Sequence, residues 1–363
     1  MRTQTRGKRA LIFIQNGLGG AERIQIEISK MLIADGWQIK FCMISFNSKE
    51  NKIKQFYPEN VMSSEIIATS QFGLLKDIFK QIKEYQPTVV FASAMHLNQR
   101  ILLVSILFPK IKFIMRNENY LYTLPKWKCR TLGLTYRLAD KIIVQTEEME
   151  NEVVNLGIKN DKVITLHNPV NEKEIHAKAA APSPFPEDGK IRFVAVGRFA
   201  PQKGFDILVD AFRIVASIVP DAELYIVGDT FYGNGAVLKT VRDKAGEYNL
   251  TDRIFLPGFK SNPYPYMRHA DVFVLSSRYE GLPNTLIEAL FLGTPAATTT
   301  CIPIISRIIT DGKNGYTATS GNAEELAKAM IEAAKLKTIT NNYKPASNEE
   351  FIEQFNRLIS QKH

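Results

Sequence analysis

The sequence is poor in cysteine. Its 363 residues hold three, Cys42, Cys129 and Cys301, which are far apart and outside any CxxC pair. An odd, scattered set excludes a disulfide framework and reads as reduced, buried thiols of a cytosolic protein. Long apolar runs are also missing. The longest, ILLVSILF at 101–108, falls well short of a membrane span. The basic N-terminus MRTQTRGKR is followed only by ALIFI before Gln15 and Asn16, too little for a signal peptide. A chain of this kind can lie on a membrane but is not expected to cross one. Acids are outnumbered, 37 against 46 Lys and Arg, giving a net charge of +9. That excess favours anionic partners, whether nucleotide diphosphates, phospholipid head groups or nucleic acid, without choosing among them.

What is present is the composition of a folded protein, 45% hydrophobic and 23% charged, long enough for two domains. The first half opens with a buried-strand run (10–14), the loop QNGLGGAER, a helical stretch from about Ala21 to Ala34, and a second strand at 39–46. This is the start of a parallel α/β sheet. Gly17, Gly19 and Gly20 let a ligand approach the backbone at a helix N-terminus. They lack the third spaced glycine of a dinucleotide fingerprint, and the second strand ends in Ser45-Phe46-Asn47, with no acid to hold a ribose. Further strands are predicted at 87–94, 112–117 and 141–146. Their ends single out His96, Arg116, Asn117, Glu118 and Thr146; His96 reads more readily as a plain loop histidine than as a cleft residue. Residues 120–141 interleave Tyr120, Tyr122, Trp127 and Tyr136 with Lys126, Lys128, Arg130 and Arg137. They suit either a membrane interface or a crossover helix with solvated bases. The run HAKAAAPSPFPEDGK (176–190) reads as an exposed linker.

The pattern restarts at 191–212, where a strand leads into a loop holding Gly197, Arg198, Lys203 and Gly204. Two cations a few residues apart can clamp a diphosphate, Arg with its fork and Lys as a point charge. Strands at 222–229 and 253–259 end in Gly228 and Gly258. An apolar run at 270–277 then leads into RYEGLPNTLIEALFLG (278–293), with seven residues between Glu280 and Glu288. Pro283 and Asn284 read as a helix start, with Asn as the cap. Carboxylates there suit sugar hydroxyls, from which they accept hydrogen bonds.

These residues resemble the retaining glycosyltransferases of family four, which have two Rossmann-like domains facing each other across a cleft (the GT-B fold). The resemblance is tight at 197–204 and 278–293, moderate at 16–23 and 164–170, and poor at 301–308. It implies that Arg198 and Lys203 hold a donor pyrophosphate and stabilise the charge that develops on it. It gives Glu288 the ribose hydroxyls. Glu280, with Gly281, Leu282, Pro283, Asn284 and Thr285, would face the transferred sugar and the phosphates. Gly228, Gly258 and Phe259 would lie by the nucleotide. On the acceptor side it implies Gly17, Gly19, Gly20 and, where relatives often carry a histidine, Glu118. Arg307 stands where relatives carry a glutamate.

The implied domains are 1–175 for the acceptor, a linker at 176–190, 191–340 for the nucleotide sugar, and a tail at 341–363 returning to the first domain through FIEQFNRLI. The implied activity is metal-independent, retaining transfer from a nucleotide-diphosphate sugar to a glycan or lipid-linked acceptor in surface polysaccharide synthesis. A UDP-sugar is the favoured donor and a GDP-sugar the second; no cofactor and no nucleic acid is expected. The expected location is cytoplasmic, with a place on the inner face of an anionic membrane left open. The alternatives are a nucleotide-sugar epimerase or phosphorylase on the same fold, or a catalytically silent nucleotide-sugar-binding subunit.

Overall fold

The computed structural model describes residues 7–17, 19–46, 53–230 and 235–360. Asn47 and the first six residues, both used in the sequence reading, lie outside them. The chain divides into two compact units, 1–170 with 345–363 and 171–344.

The first unit runs β1 (Arg9–Gln15), α1 (Gly20–Ala34), β2 (Gln38–Ser45), β3 (Met62–Ile67), α2 (Gln71–Tyr85), β4 (Val89–Ala92), α3 (Met95–Ser105), β5 (Lys112–Arg116), α4 (Lys126–Tyr136), β6 (Lys141–Val144), α5 (Glu147–Asn155) and β7 (Val163–Thr165). The second runs α6 (Glu172–Ala179), β8 (Ile191–Val196), α7 (Phe205–Ile218), β9 (Ala222–Val227), α8 (Ala236–Glu247), β10 (Ile254–Gly258), α9 (Tyr264–Arg268), β11 (Val272–Leu275), α10 (Asn284–Phe291), β12 (Ala296–Thr299), α11 (Ile305–Ile308), β13 (Gly315–Ala318) and α12 (Ala323–Ala333). The chain then returns to the first unit as α13 (Asn348–Ser360).

Every ladder is parallel. Among the described residues the first sheet has seven strands in the order β3-β2-β1-β4-β5-β6-β7, and the second six in the order β10-β9-β8-β11-β12-β13. Both are doubly wound. Their strand order reverses between β1 and β4 in one unit and between β8 and β11 in the other, which is where such sheets open a crevice beyond the strand carboxyl ends. The central strands are buried on both faces, which is why they read as unbroken apolar runs.

The stretch expected as an exposed linker, 176–190, is mostly exposed, but it begins within α6 and falls inside the second unit. Asn171 caps α6 through its side chain, and Ile175 and Ala179 are buried. Further on, Phe185 is 6% exposed and sits edge-on to Tyr225 and Tyr266. Alanine and proline gave the stretch its loop-like composition, but one phenylalanine is enough to pin it to the second unit.

Helix α13 carries Phe351, Phe355 and Leu358 into the core of the first unit. Phe355 meets Phe91 of β4 edge-on at 5.7 Å, and Asn356 donates to Asp35 at 2.9 Å. Truncating a buried aromatic of this kind removes both transfer energy and packing. Phe355→Ala should therefore cost about 3–5 kcal/mol, read from hydrogen exchange of the β1 and β4 amides. A loss under about 1 kcal/mol would show that α13 is not part of that core.

Candidate functional site

In the second unit two loops leave adjacent strands at the reversal point. One follows β8 and holds Gly197, Arg198, Lys203 and Gly204. The other follows β11 and runs from Ser276 to Pro283. Their backbones come so close that side chains are excluded. A Cβ on Gly204 would lie 2.1 Å from the Ser276 carbonyl oxygen, and its φ of +61° already favours glycine. A Cβ on Gly228, at the end of β9, would lie 1.8 Å from the Gly197 carbonyl oxygen.

The two loops are tied together by hydrogen bonds. The Arg278 amide donates to the Gln202 carbonyl at 2.8 Å, and the Ser276 hydroxyl to the Lys203 carbonyl at 2.8 Å. Gln202 Nε2 donates to the Tyr279 carbonyl at 3.1 Å. Arg278 grips Asp206, in the first turn of α7, with both guanidinium nitrogens at 2.8 and 2.6 Å, and also donates to the Pro201 carbonyl. The guanidinium holds the Asp206 carboxyl below its usual pKa.

At the centre Lys203 Nζ donates to Glu280 Oε1 at 2.6 Å, with the lysine side chain 16% and the glutamate side chain 7% exposed. Ser277 Oγ donates to the same oxygen at 2.6 Å, and Thr299 of β12 in turn holds the Ser277 carbonyl at 2.6 Å. Arg198 lies half-buried directly after Gly197. Cys301 is near enough that the Glu280 charge adds to burial in pushing its thiol up to about 12. On α10, Glu288 is 8% exposed and accepts from the Tyr264 hydroxyl at 3.3 Å. Gly281, Leu282 and Pro283 are buried on the turn between the glutamates, and Thr285 follows in the first turn of α10.

The helix start needs one correction. Pro283, not Asn284, occupies the capping position, and no side chain caps α10. The turn at Pro283 directs the Asn284 amide onto the Leu282 carbonyl at 2.9 Å, so Asn284 is the first helical residue. At the neighbouring strand ends the Gly228 amide donates to the Gly258 carbonyl at 3.1 Å, and Phe259 follows 38% exposed.

Sequence reasoning brought Lys203, Glu280 and Glu288 forward. It did not single out Ser277, Tyr264, Gln202 or the Arg278–Asp206 clamp, whose partners are mostly distant in the chain. Ser277 alone had a local signal, three residues before the glutamate it serves.

In the first unit, Gly17 and Gly19 lie on the loop after β1, and Gly20 begins α1. The Gly19 amide donates to Glu22 at 3.0 Å. Glu118 does not stand out from the sheet end as a lone carboxylate. It accepts from Arg116 at 3.4 Å, while Arg116, 2% exposed, also donates to Asn168 at 2.5 Å. Burial holds the Arg116 pKa below its usual value, with the Glu118 charge opposing. His96 sits in the first turn of α3 with its ring 5.7 Å from Phe46, and burial lowers its pKa.

Of the aromatics in 120–141, Tyr120 and Tyr136 are core residues, whereas Tyr122 and Trp127 are exposed. Cys42 and Cys301 are buried as expected, but Cys129 is only half-buried. Arg307 lies exposed on α11, and nothing in the structure explains its replacement of a glutamate. Among the described residues no group of three or more His, Cys, Asp or Glu could hold a metal ion.

The Arg278–Asp206 clamp has a pH signature. A carboxyl whose folded pKa is depressed adds stability above its unfolded value, near 3.9. That stability is lost as pH falls through the folded value. Both side chains are partly exposed, so the pair is worth about 1 kcal/mol. Asp206→Asn should lose that much at neutral pH, and the difference from wild type should begin to shrink near pH 4 and vanish only once pH falls below the depressed folded pKa, in denaturation titrations. A constant difference across that range would show that the carboxylate charge is not what matters.

Comparison with known proteins bears on the family and the fold. The family described as Glycosyltransferase Family 4 matches residues 18–174, and that described as Glycosyl transferases group 1 matches residues 177–350. An uncharacterized glycosyltransferase of Methanocaldococcus jannaschii is 34% identical over 256 residues, covering 63% of this chain and 60% of that protein. An N-acetylgalactosaminyltransferase of Campylobacter jejuni, acting on N-acetylgalactosamine-N,N'-diacetylbacillosaminyl-diphospho-undecaprenol, is 25% identical across 91% of this chain and 92% of its own. The structure of HepE from Anabaena, solved with UDP and glucose, superposes with a TM-score of 0.80 over 98% of this chain and 100% of its own. At 16% identity that likeness speaks for the fold. With two family matches together running from 18 to 350, both halves doubly wound, and a buried lysine–glutamate pair at the reversal point of the second sheet, this chain belongs to the group 1 glycosyltransferases of family four.

Proposed function

We propose that the protein is a retaining glycosyltransferase that moves a sugar from a nucleotide-diphosphate sugar, with UDP favoured, to a glycan or lipid-linked acceptor in surface polysaccharide synthesis. The observation that carries this reading is the buried Lys203–Glu280 pair at the reversal point, with a second buried glutamate, Glu288, on the helix that follows. A cation beside two carboxylates matches a donor that is anionic at its diphosphate and rich in hydroxyls at its sugars. The second unit takes the donor. Lys203 and Arg198 hold the diphosphate with Gly197, Glu288 the ribose, Glu280 and residues 281–285 the transferred sugar, and Gly228, Gly258 and Phe259 the nucleotide side. The acceptor is met in the first unit by Gly17, Gly19, Gly20 and Glu118. The UDP in the HepE complex and the lipid diphosphate named for the Campylobacter relative support the donor and acceptor classes.

In the proposed reaction the acceptor oxygen attacks the anomeric carbon from the face that the diphosphate leaves. The bond from that carbon to the diphosphate breaks, a new carbon–oxygen bond forms, and the acceptor proton passes to a phosphate oxygen. Configuration is retained, and Lys203 and Arg198 stabilise the negative charge growing on the leaving group, without a protein-bound metal.

The test is a melting-temperature panel with UDP, GDP, ADP and their sugars, since a ligand that binds only the native state must stabilise it. One nucleotide should raise the melting temperature of the wild type and fail to do so for Lys203→Ala and Glu288→Ala. With that donor and a lipid-linked acceptor, in the presence of EDTA, NMR should find an α-linked product. Lys203→Ala should lower kcat by about 10²–10³. Absence of any nucleotide shift overturns the donor site, and a β-linked product overturns retention.

A further inference from the structure

The Glu280 carboxylate has to be satisfied from within the protein. Its side chain is 7% exposed, so water cannot meet its hydrogen-bonding needs, and a buried charge left without donors is costly. Lys203 Nζ donates to its Oε1 at 2.6 Å. When that ammonium turns to a diphosphate, another donor has to stay with the carboxylate. Two are placed for it. Ser277 Oγ donates to the same oxygen at 2.6 Å. Gln202 Nε2 lies 3.5 Å from Oε2 and makes its shorter bond, 3.1 Å, to the Tyr279 carbonyl. Ser277 is the stronger of the two, since a hydroxyl bonds a carboxylate well only at short range.

The serine is held independently of the lysine side chain. It is 1% exposed, two residues beyond β11. Its carbonyl accepts from the Thr299 hydroxyl at 2.6 Å. The residues on either side are tied to the other loop, Ser276 through its hydroxyl to the Lys203 carbonyl and Arg278 through its amide to the Gln202 carbonyl, both at 2.8 Å. These bonds engage the backbone of that loop and not the Lys203 ammonium. A swing of the lysine side chain therefore leaves the Ser277 hydroxyl in place. Lysine suits such a swing, being a point charge with three donors on a flexible four-carbon stem.

We propose that Ser277 is a positioning residue for donor binding, whose hydroxyl keeps the Glu280 carboxylate satisfied while Lys203 turns from Glu280 to the donor diphosphate. Two consequences follow from the geometry. Glu280 keeps its place for the sugar hydroxyls after the lysine has left it, and the lysine leaves at lower cost. Without the Ser277 hydroxyl, Lys203 would be the only close donor to Glu280 among the described residues. The ion pair would then compete more strongly with the ligand for the ammonium. The inference rests on the donor reading above and adds to it the group that makes the hand-over of Lys203 possible.

The experiment is calorimetric titration of UDP, GDP and ADP into the full chain as wild type, Ser277→Ala, Glu280→Gln and the double variant. Ser277→Ala removes one oxygen and leaves the backbone bonds of residue 277 in place, and a cooperative melting transition checks that each variant folds. Affinity for the nucleotide that wild type binds should fall about tenfold in Ser277→Ala, the loss expected for one hydrogen bond to a charged group. In the Glu280→Gln background the same substitution should change affinity by less than about twofold, because no carboxylate charge is left to satisfy. An equal loss in both backgrounds is what a merely structural serine would give, and it overturns the proposal. So does a Ser277→Ala variant that binds as tightly as wild type. Both outcomes leave the donor site standing, because wild type still binds. Absence of binding by wild type to all three nucleotides overturns the donor reading and this inference together.

Discussion

The candidate site of the second unit is organised around a buried ion pair. Lys203 and Glu280 come from loops 77 residues apart in sequence and meet at 2.6 Å where the strand order of the sheet reverses. Removing two charges from water is costly, and their attraction roughly offsets that cost without adding stability. The fold therefore does not need the pair for its own sake. What the pair demands is support. Ser277 shares the Glu280 oxygen, Gln202 and Ser276 bind the loops to each other, and Arg278 anchors the second loop to the first turn of α7. Glycine at 204 and 228 lets three strand ends approach closely enough for all of this. The result is a cation and a carboxylate fixed by the fold, which is the arrangement the proposed electrostatic stabilisation of a leaving diphosphate calls for.

Much of this could be read from the chain, for identifiable reasons. Central strands such as Val272–Leu275 are buried on both faces, so they appear as unbroken apolar runs, and the loops after them carry the polar residues that a doubly wound sheet presents at its carboxyl edge. Lys203, Glu280 and Glu288 stand out on that basis. The bond between Lys203 and Glu280 does not, because nothing in the local sequence tells a lysine which distant carboxylate it will meet. The Arg278–Asp206 clamp, across 72 residues, was hidden for the same reason.

Other features were missed because the physics is weak or misleading locally. Strand β3 lies at the edge of its sheet and is largely exposed, so MSSEII carries no apolar run. Strand β13, also at an edge, is only four residues long. The segment 176–190 has the composition of a linker, yet Phe185 and the buried face of α6 fix it to the second unit. Glu118 was singled out at a strand end as an acceptor-side candidate. The neighbouring Arg116, buried under Asn168, claims it, so any part it plays toward an acceptor is exercised through a paired charge.

The claim that matters most is that Lys203 is shared between Glu280 and a donor diphosphate. Calorimetric affinity for UDP in Glu280→Gln tests it directly. Removing the carboxylate charge frees the ammonium, so the variant should bind UDP about fivefold more tightly or better, and Lys203→Ala on top should abolish the gain. Unchanged or weaker UDP binding in Glu280→Gln would contradict the account and leave the ion pair a structural feature with no place in donor recognition.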